Sequence, residues 1–227
     1  MSNMLKRLSL LSLFASLATA VLLLSYPRFT SSLSYLPVEA ALKRNWEDYP
    51  IKQNQFPVLI GFAKKAIGRL DLGRYWQGLG WLYYLQINAE NIDTEHGKTL
   101  LSLSQNAFEA SLYKSPADPA TWLRLAWVHA WLQHDSTTVS AALKMSFYTG
   151  RAERYLILNR LDLALRYADY FNQQDIPLIR DQIQLAWRFF QKDTLNHMQS
   201  GTFDQRVVLS LIEQSHPELA MEIEEKL

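Results

Sequence analysis

A pattern of large and small residues occurs twice between residues 72 and 133, and it constrains the fold more than any other feature. The first copy, residues 76–83, has the spacing W-x2-L-G-x2-Y. The second copy, residues 122–129, reads W-x2-L-A-x2-H and begins 46 residues after the first. Because spacings of three and four residues fall on one face of a helix, each copy predicts a helix packed against neighbours.

The pattern resembles the opening of a tetratricopeptide repeat, a unit of two helices that is about 34 residues long. Such a repeat continues with a small residue, an aromatic residue and a proline, which here are Ser104, Phe108 and Pro116. Because the two copies lie further apart than one unit, we expect about 12 extra residues. We place them in an extended turn around residues 88–97. The resemblance also predicts that Gly80 lets its partner helix approach closely.

The rest of the chain predicts more helices. Glycine and proline number only eight each, which favours helices over a turn-rich sheet fold. We therefore predict an all-α fold, in which a tetratricopeptide-like helical repeat (α-solenoid) domain over residues 37–227 follows a single N-terminal transmembrane helix. The predicted helices of this domain span residues 37–48, 57–71, 73–90, 94–114, 119–133, 136–149, 152–171, 175–192, 193–200, 202–214 and 217–227.

A run without charges, residues 8–24, lies close to the N-terminus. As a helix it would be about 25 Å long, the short end of a membrane span. Lys6 and Arg7 precede it, so the positive-inside rule favours a cytoplasmic N-terminus. The alternative is a signal peptide cleaved after Ala18-Thr19-Ala20. We assign residues 1–28 to this anchor or signal peptide, and residues 29–36 to a serine-rich linker.

For a Gram-negative bacterial source, these assignments predict a single-pass protein of the inner membrane, with its N-terminus cytoplasmic and its C-terminal domain periplasmic. The chain would contact the membrane through residues 8–24.

Composition excludes several functional classes. The formal charge is +1 over 227 residues, whereas a dedicated nucleic-acid binder normally has a basic excess, so we predict no nucleic-acid partner. The chain has no cysteine, which excludes disulfides, a thiol nucleophile and a thiolate metal site.

Catalytic and cofactor motifs are equally weak. His129 and His134 are five residues apart, whereas helical metal ligands favour a spacing of four. Gly78 and Gly80 supply only half of a dinucleotide fingerprint. We predict no catalytic residue, no metal, no cofactor and no enzyme activity.

The first helix of a tetratricopeptide repeat lines a concave groove, so the resemblance also predicts a candidate partner groove. This prediction takes Trp76 and Trp122 as buried. The candidate groove residues are Arg74, Gln77, Trp81, Tyr84, Leu123 and Trp127, with Ala120 and Ala130 beside them. Exposed tryptophans in a groove mark partner sites. The alternative is that both rings pack against the helices around them.

Several arginines follow the second copy of the pattern. We expect them to form ordinary surface ion pairs with nearby acidic residues, namely Glu153, Asp162 and Asp169. The arginines concerned are Arg124, Arg151, Arg154, Arg160 and Arg166.

Residues 114–188 resemble one small bacterial family, that of VpsP-like, membrane-anchored, tetratricopeptide-like proteins associated with exopolysaccharide biosynthesis. The segments that carry the resemblance are residues 115–126, 141–146, 149–154, 159–165 and 184–188. The family supplies no catalytic residues, and the resemblance implies an accessory role in making or exporting an envelope polysaccharide.

We therefore expect a non-catalytic protein-interaction scaffold, whose partners belong to the envelope polysaccharide machinery. Two alternatives stay open. One is a glycan-binding module, in which Trp81, Tyr84 and Trp127 would stack on sugar rings. The other is a general cell-envelope scaffold for division or secretion.

Overall fold

A computed structural model describes residues 2–87 and 92–227 of the chain, and the side chains of residues 10–87 and 92–227. Every regular element in these residues is helical, which confirms the all-α prediction. The α-helices are α1 Ser2–Trp46, α2 Phe56–Arg69, α3 Gly73–Leu85, α4 Glu95–Lys114, α5 Pro119–Trp131, α6 Ser136–Thr149, α7 Ile157–Arg166, α8 Ile176–Gln199, α9 Gln205–Ile212 and α10 Pro217–Lys226.

The first helix, α1, spans 45 residues without interruption, so the predicted linker over residues 29–36 is wrong. Pro37 also lies inside α1 instead of starting a new helix. The serine-rich stretch is helical because it packs against α3. Ser31 and Ser34 are buried, and the Ser31 hydroxyl lies 3.1 Å from the Tyr75 hydroxyl. Tertiary contacts therefore override the weak helix preference of serine and proline.

One helix among the described residues, α1 from Leu10 onward, is long and apolar enough to cross a membrane. Its most apolar 18-residue window has a mean hydropathy of 1.8, and none of that window is buried against the protein. The same helix continues into the body, where Tyr35, Val38 and Ala41 are buried. The division into residues 1–28 and 37–227 stays a prediction.

The helices pack in chain order. The pairs α1–α2, α3–α4 and α5–α6 make the most extensive contacts, followed by the contacts that join one pair to the next. One buried cluster fills the space among α1, α2, α3 and α4, and another lies among α5 to α10. A smaller cluster, which includes Leu101, Phe108 and Leu125, lies between α4 and α5.

Gly80 lies directly against the partner helix, as the pattern predicts. A β-carbon added at Gly80 would come within 2.6 Å of the Phe108 ring. The Ser104 hydroxyl donates to the Gly80 carbonyl at 2.9 Å. The absent side chain at Gly80 therefore allows α3 and α4 to approach closely.

A second serine contact occurs in both hairpins. The Ser111 hydroxyl donates to the Gly73 carbonyl at 2.9 Å, and the Ser146 hydroxyl donates to the Pro119 carbonyl at 2.7 Å. Each bond ties the end of one helix to the first residue of its partner, because Gly73 and Pro119 begin α3 and α5.

The two signature tryptophans are only half-buried, so the expectation of full burial is wrong. The Trp76 indole donates to the Asp71 carboxylate at 2.6 Å, and the Trp122 indole donates to the Pro116 carbonyl at 2.8 Å. Both rings lie at helix–helix turns, where one edge reaches solvent.

Several helix bounds also differ from the prediction. Helix α3 ends at Leu85 and α4 starts at Glu95, while residues 88–91 of the predicted extended turn lie outside the described residues. The predicted helix over residues 152–171 is the shorter α7 between two 3-10 turns. Helix α8 continues to Gln199 across a break at Phe190, where φ is −139° and ψ is 40°, instead of ending at residue 192.

Candidate binding groove

A cavity of about 470 Å³ lies where α1, α3, α5 and the start of α7 meet. Five of the eleven residues that line it are aromatic. The residues that line it are Asn45, Trp46, Trp81, Tyr84, Ala120, Leu123, Arg124, Trp127, Trp131, Leu156 and Asn159. We call this cavity the aromatic pocket.

A second cavity of about 410 Å³ adjoins the aromatic pocket, and Trp46, Trp81 and Arg124 line both. It runs between α1 and α3. The remaining residues that line it are Tyr35, Glu39, Leu42, Lys43, Arg74, Gln77 and Gly78. The two cavities together form a surface that we call the groove.

All six predicted groove residues line this surface. Four of them, Trp81, Tyr84, Leu123 and Trp127, line the aromatic pocket, and Arg74 and Gln77 line the second cavity. Helix geometry explains the grouping, because spacings of three, four and seven residues share one face. Ala120 also lines the pocket, whereas Ala130 lines neither cavity.

Trp81 is half-buried and is held by two side chains of the protein. Its ring stacks on Tyr84, with centroids 5.1 Å apart and planes 7° apart. The Arg124 guanidinium lies 4.2 Å from the Trp81 ring centroid, which is a cation–π contact. The Trp81 indole nitrogen is buried and has no hydrogen-bond partner among the described residues. Trp81 is therefore not fully buried in the core, but Tyr84 and Arg124 already cover part of its ring.

The aromatic set continues from Trp81 along α5. Tyr84 meets Trp131 edge-on at 6.0 Å, and 38% of Trp131 is exposed. Trp127 is half-buried, and the Arg166 guanidinium lies 5.9 Å from its ring centroid. These rings form one wall, to which α3 and α5 both contribute.

Arg124 is the most unusual group in the groove. It has no hydrogen bond and no ion pair within the part of the chain that the structure describes. Burial lowers the pKa of its guanidinium from the ordinary value. The negative charge of Asp118 offsets part of this effect. Asp118 forms no direct ion pair with Arg124, and its carboxylate accepts hydrogen bonds from the backbone nitrogens of Ala120 and Thr121 and from the Gln77 amide.

Arg74 and Gln77 use their polar groups within the fold. Arg74 donates to the Ser32 hydroxyl and to the Tyr75 hydroxyl, both at 2.9 Å. The Gln77 amide donates to Asp118 at 2.5 Å and to the Thr121 hydroxyl at 2.9 Å. Both residues join neighbouring helices. Because these hydrogen bonds use several of their donors, fewer donors remain for a ligand in the groove.

The other arginines meet the expectation of surface pairing only in part. Arg166 pairs with Asp162 at 2.8 Å, as expected, whereas Arg151 pairs with Asp181 at 2.5 Å. Arg154 stacks on the Phe189 ring at 4.3 Å.

Arg160 is fully buried, and the expectation of a surface pair is wrong for this residue. Its guanidinium donates to the carbonyls of Ser146 and Gly150, at 2.6 and 2.7 Å, and to the Ser146 hydroxyl. Burial lowers the pKa of Arg160 to about 10, so the group stays charged at neutral pH.

The end of the first helix lines both cavities of the groove. Trp46, at the end of α1, meets Tyr155 edge-on, with ring centroids 6.0 Å apart. The two side chains are 55% and 51% exposed. Tyr155 belongs to the 3-10 turn Arg154–Leu156 that precedes α7. The helix that carries the apolar N-terminal segment is therefore itself a wall of the pocket.

Sequence reasoning missed the residues that reach the pocket from outside the two pattern copies. Asn45, Trp46 and Asn159 enter only through the packing of α1 and α7 against α5, for which no local signal exists. The sequence could have indicated Trp131 as a pocket residue, because it lies four residues after Trp127 on the same face of α5.

The histidine pair does not change the prediction of a metal-free site. The rings of His129 and His134 meet edge-on at 4.9 Å. Across residues 2–87 and 92–227, no group of three or more His, Cys, Asp or Glu side chains is arranged to hold a metal ion.

Comparisons of the chain with protein-family models, with curated proteins and with solved structures found no match.

Proposed function

We propose that the chain is a non-catalytic scaffold, anchored in a membrane by α1, that binds one component of the machinery for making or exporting an envelope polysaccharide. The observation that carries the proposal is the groove, in which six residues chosen from the repeat pattern surround two adjoining cavities. The link to polysaccharide rests on the VpsP-like resemblance of residues 114–188.

A tetratricopeptide-like repeat is part of the proposal. Its support is the recurrence of one contact in two hairpins, where Ser111 bonds to Gly73 and Ser146 bonds to Pro119. In such a repeat the odd-numbered helices line the groove and the even-numbered helices lie behind them. The groove walls here come from α1, α3, α5 and α7, which agrees with that arrangement.

The membrane arrangement is also proposed. Lys6 and Arg7 before the apolar segment favour a cytoplasmic N-terminus and a periplasmic body. Because α1 is uninterrupted, 22 residues of helix, or about 33 Å, separate Leu24 from Trp46. A scaffold of this kind would hold the aromatic pocket at a fixed distance from the membrane.

The size of the pocket favours a short ligand segment over a whole docked helix. A whole helix is about 10–12 Å wide with its side chains and needs an open groove. The volume of about 470 Å³ suits a small ligand. We therefore favour a short chain segment over a docked helix. This observation raises the glycan-binding alternative, since the end of a polymer is such a segment.

Site-specific crosslinking in cells tests the proposal. A photoreactive amino acid at Trp131, on the pocket wall, is compared with the same amino acid at Tyr170, which is 54% exposed and lines neither cavity. We expect crosslinks to glycosyltransferases, export proteins or the polymer itself from position 131, and none of them from position 170.

Two other outcomes would contradict the proposal. Division or secretion proteins captured at position 131 would favour the general envelope scaffold. Equal capture at both positions would mean that the groove is not the binding site.

A further inference from the structure

We propose that the groove binds an acidic sugar residue of a polysaccharide, whose carboxylate is held by Arg124. The inference rests on the proposed polysaccharide-associated function, takes its glycan-binding alternative for the groove, and names the chemical class of the ligand. Four features carry it: an arginine without an ion pair or hydrogen bond, the aromatic wall, two amides from different helices and the basic character of the adjoining cavity.

The first feature is the lack of a counter-ion for Arg124. A half-buried cation loses hydration, and this cost is normally offset by an ion pair or by hydrogen bonds. Arg160 has three such bonds, whereas Arg124 has none among the described residues and makes only the ring contact with Trp81. The planar guanidinium matches a carboxylate through two parallel hydrogen bonds. A ligand carboxylate would supply the missing partner.

The second feature is the aromatic wall beside Arg124. Trp46, Trp127 and Trp131 line the pocket, and each has part of its surface exposed. The C–H groups on one face of a sugar ring carry partial positive charge, which the negative face of an aromatic ring attracts. Trp81 contributes less, because Tyr84 and Arg124 already stack on it.

The third feature is a pair of amides that two different helices contribute to the pocket. Asn45 comes from α1 and Asn159 from α7, and both line the aromatic pocket. An amide both donates and accepts hydrogen bonds, as does a sugar hydroxyl. The pocket therefore has partners for the ring face, the hydroxyls and the carboxylate of one residue.

The fourth feature is the charge of the adjoining cavity. Lys43, Arg74 and Arg124 line it, and Glu39 is its only acidic residue. The chain as a whole is nearly neutral, with a formal charge of +1. This local basic excess suits a polymer with repeated carboxylates that continues from the pocket along α1.

A peptide fits less well. No strand is present in the described residues, so no sheet edge is offered for backbone pairing. A bound helix, about 10–12 Å wide with its side chains, is large for a cavity of about 470 Å³. These two points favour a sugar over a protein segment with a terminal carboxylate.

Titration of the full chain in detergent micelles tests the inference. The ligands are a short oligogalacturonate, the same oligomer after reduction of its carboxyl groups, and an acidic peptide of similar length. Calorimetry gives the affinity, and tryptophan fluorescence reports on the pocket. We expect the acidic oligomer to bind, and the reduced oligomer to bind at least about tenfold more weakly, which is the effect of losing one charge-assisted hydrogen bond.

Matched variants identify the residue responsible. Arg124→Gln is expected to weaken binding of the acidic oligomer by about tenfold or more and to weaken binding of the reduced oligomer far less. Arg154→Gln is the control, because Arg154 also stacks on an aromatic ring but lines neither cavity. It should leave both affinities unchanged.

Each remaining outcome overturns the inference in a distinguishable way. Equal binding of acidic and reduced oligomers, insensitive to Arg124→Gln, would keep the proposed scaffold and reject the carboxylate. Binding of the peptide alone would move the site to a protein partner. Absence of binding by all three ligands would reject the inference, and the proposed function would then be decided by crosslinking at position 131.

Discussion

Helices α3 and α5 carry the same pattern 46 residues apart, yet they use one position in opposite ways. In α3 the position is Gly78, where an added β-carbon would lie 1.8 Å from the Tyr35 hydroxyl of α1. In α5 the equivalent residue is Arg124, whose guanidinium lies in the groove. The absence of a side chain admits the neighbouring helix in α3, and the long side chain supplies charge in α5. The same position of the pattern therefore permits close packing of α1 on α3 and places a positive charge in the groove from α5.

The rest of the comparison shows what the two helices share. Trp81 and Trp127 are equivalent and both line the aromatic pocket. Gly80 and Ala126 are also equivalent, and both are fully or almost fully buried against the partner helix. The inward-facing positions therefore follow the pattern, whereas Arg124, to which we assign the proposed carboxylate contact, departs from it.

The largest expected effect on stability is a difference between two buried or half-buried arginines, Arg160 and Arg124. Arg160→Leu should lower the free energy of unfolding by about 3 kcal/mol, because the carbonyls of Ser146 and Gly150 lose their donor. Arg124→Gln should change it by less than about 1 kcal/mol, since no hydrogen bond is lost. Denaturant unfolding of the full chain in micelles measures both. Equal losses would mean that Arg124 is a structural residue.

The second effect concerns the close approach of α1 to α3. Gly78→Ala should destabilise the protein by about 2 kcal/mol, because Tyr35 is buried and cannot move away without losing its packing. Gly61→Ala and Gly68→Ala in α2 are the controls, since nothing lies within 4 Å of the added carbon. These two should stabilise the protein by up to about 1 kcal/mol. A stabilising Gly78→Ala would contradict the packing of α1 on α3.

A smaller effect compares the two equivalent serine bonds. Ser111→Ala should cost about 1 kcal/mol, the net value of one hydrogen bond. Ser146→Ala should cost more, because its hydroxyl also accepts a bond from Arg160. Thermal unfolding of the two variants side by side gives the order, and the reverse order would break the comparison.

The smallest expected effect is a pH dependence of stability that arises from His129. This residue of α5 occupies the pattern position that Tyr83 occupies in α3. Burial, with a smaller contribution from His134, lowers the pKa of His129. The unfolded chain then binds more protons at that site than the folded chain, so stability falls as the pH drops below about 6.5. His129→Tyr, which restores the pattern residue, should remove part of this fall.

Unfolding at about pH 8 and about pH 5.5 measures the effect, over the range in which an ordinary histidine titrates. His96→Gln is the control, because His96 is exposed on α4. The pH dependence should persist in that variant. An unchanged pH dependence in His129→Tyr would exclude His129 as its source.

Local signals predicted the middle of the chain well. Asp118 followed by Pro119 indicated the start of α5, and the Asp118 carboxylate does cap that helix. The repeat pattern located Trp81 and Trp127 on one surface. These predictions succeeded because capping and helical spacing act within a few residues.

The predictions that were wrong or missing all concern contacts between helices that are far apart in the chain. Serine and proline near Pro37 suggested a linker, but burial of Ser31 and Tyr35 against α3 keeps the segment helical. No local pattern indicated that Trp46 reaches the pocket, or that Arg124 lacks the ion pair its sequence neighbours suggest. Both facts depend on how helices far apart in the chain meet.

The central claim is that the helix bearing the apolar segment forms one wall of the groove, with Trp46 at its end held beside Tyr155. The chain has no cysteine, so Trp46→Cys and Tyr155→Cys can be introduced together without other thiols. We predict that a short bifunctional maleimide joins the two positions within one molecule, given ring centroids 6.0 Å apart. The control pairs Tyr26→Cys with Tyr155→Cys, because Tyr26 lies about 30 Å from Trp46 along α1. Labelling of both single cysteines without a crosslink between positions 46 and 155 would contradict the claim.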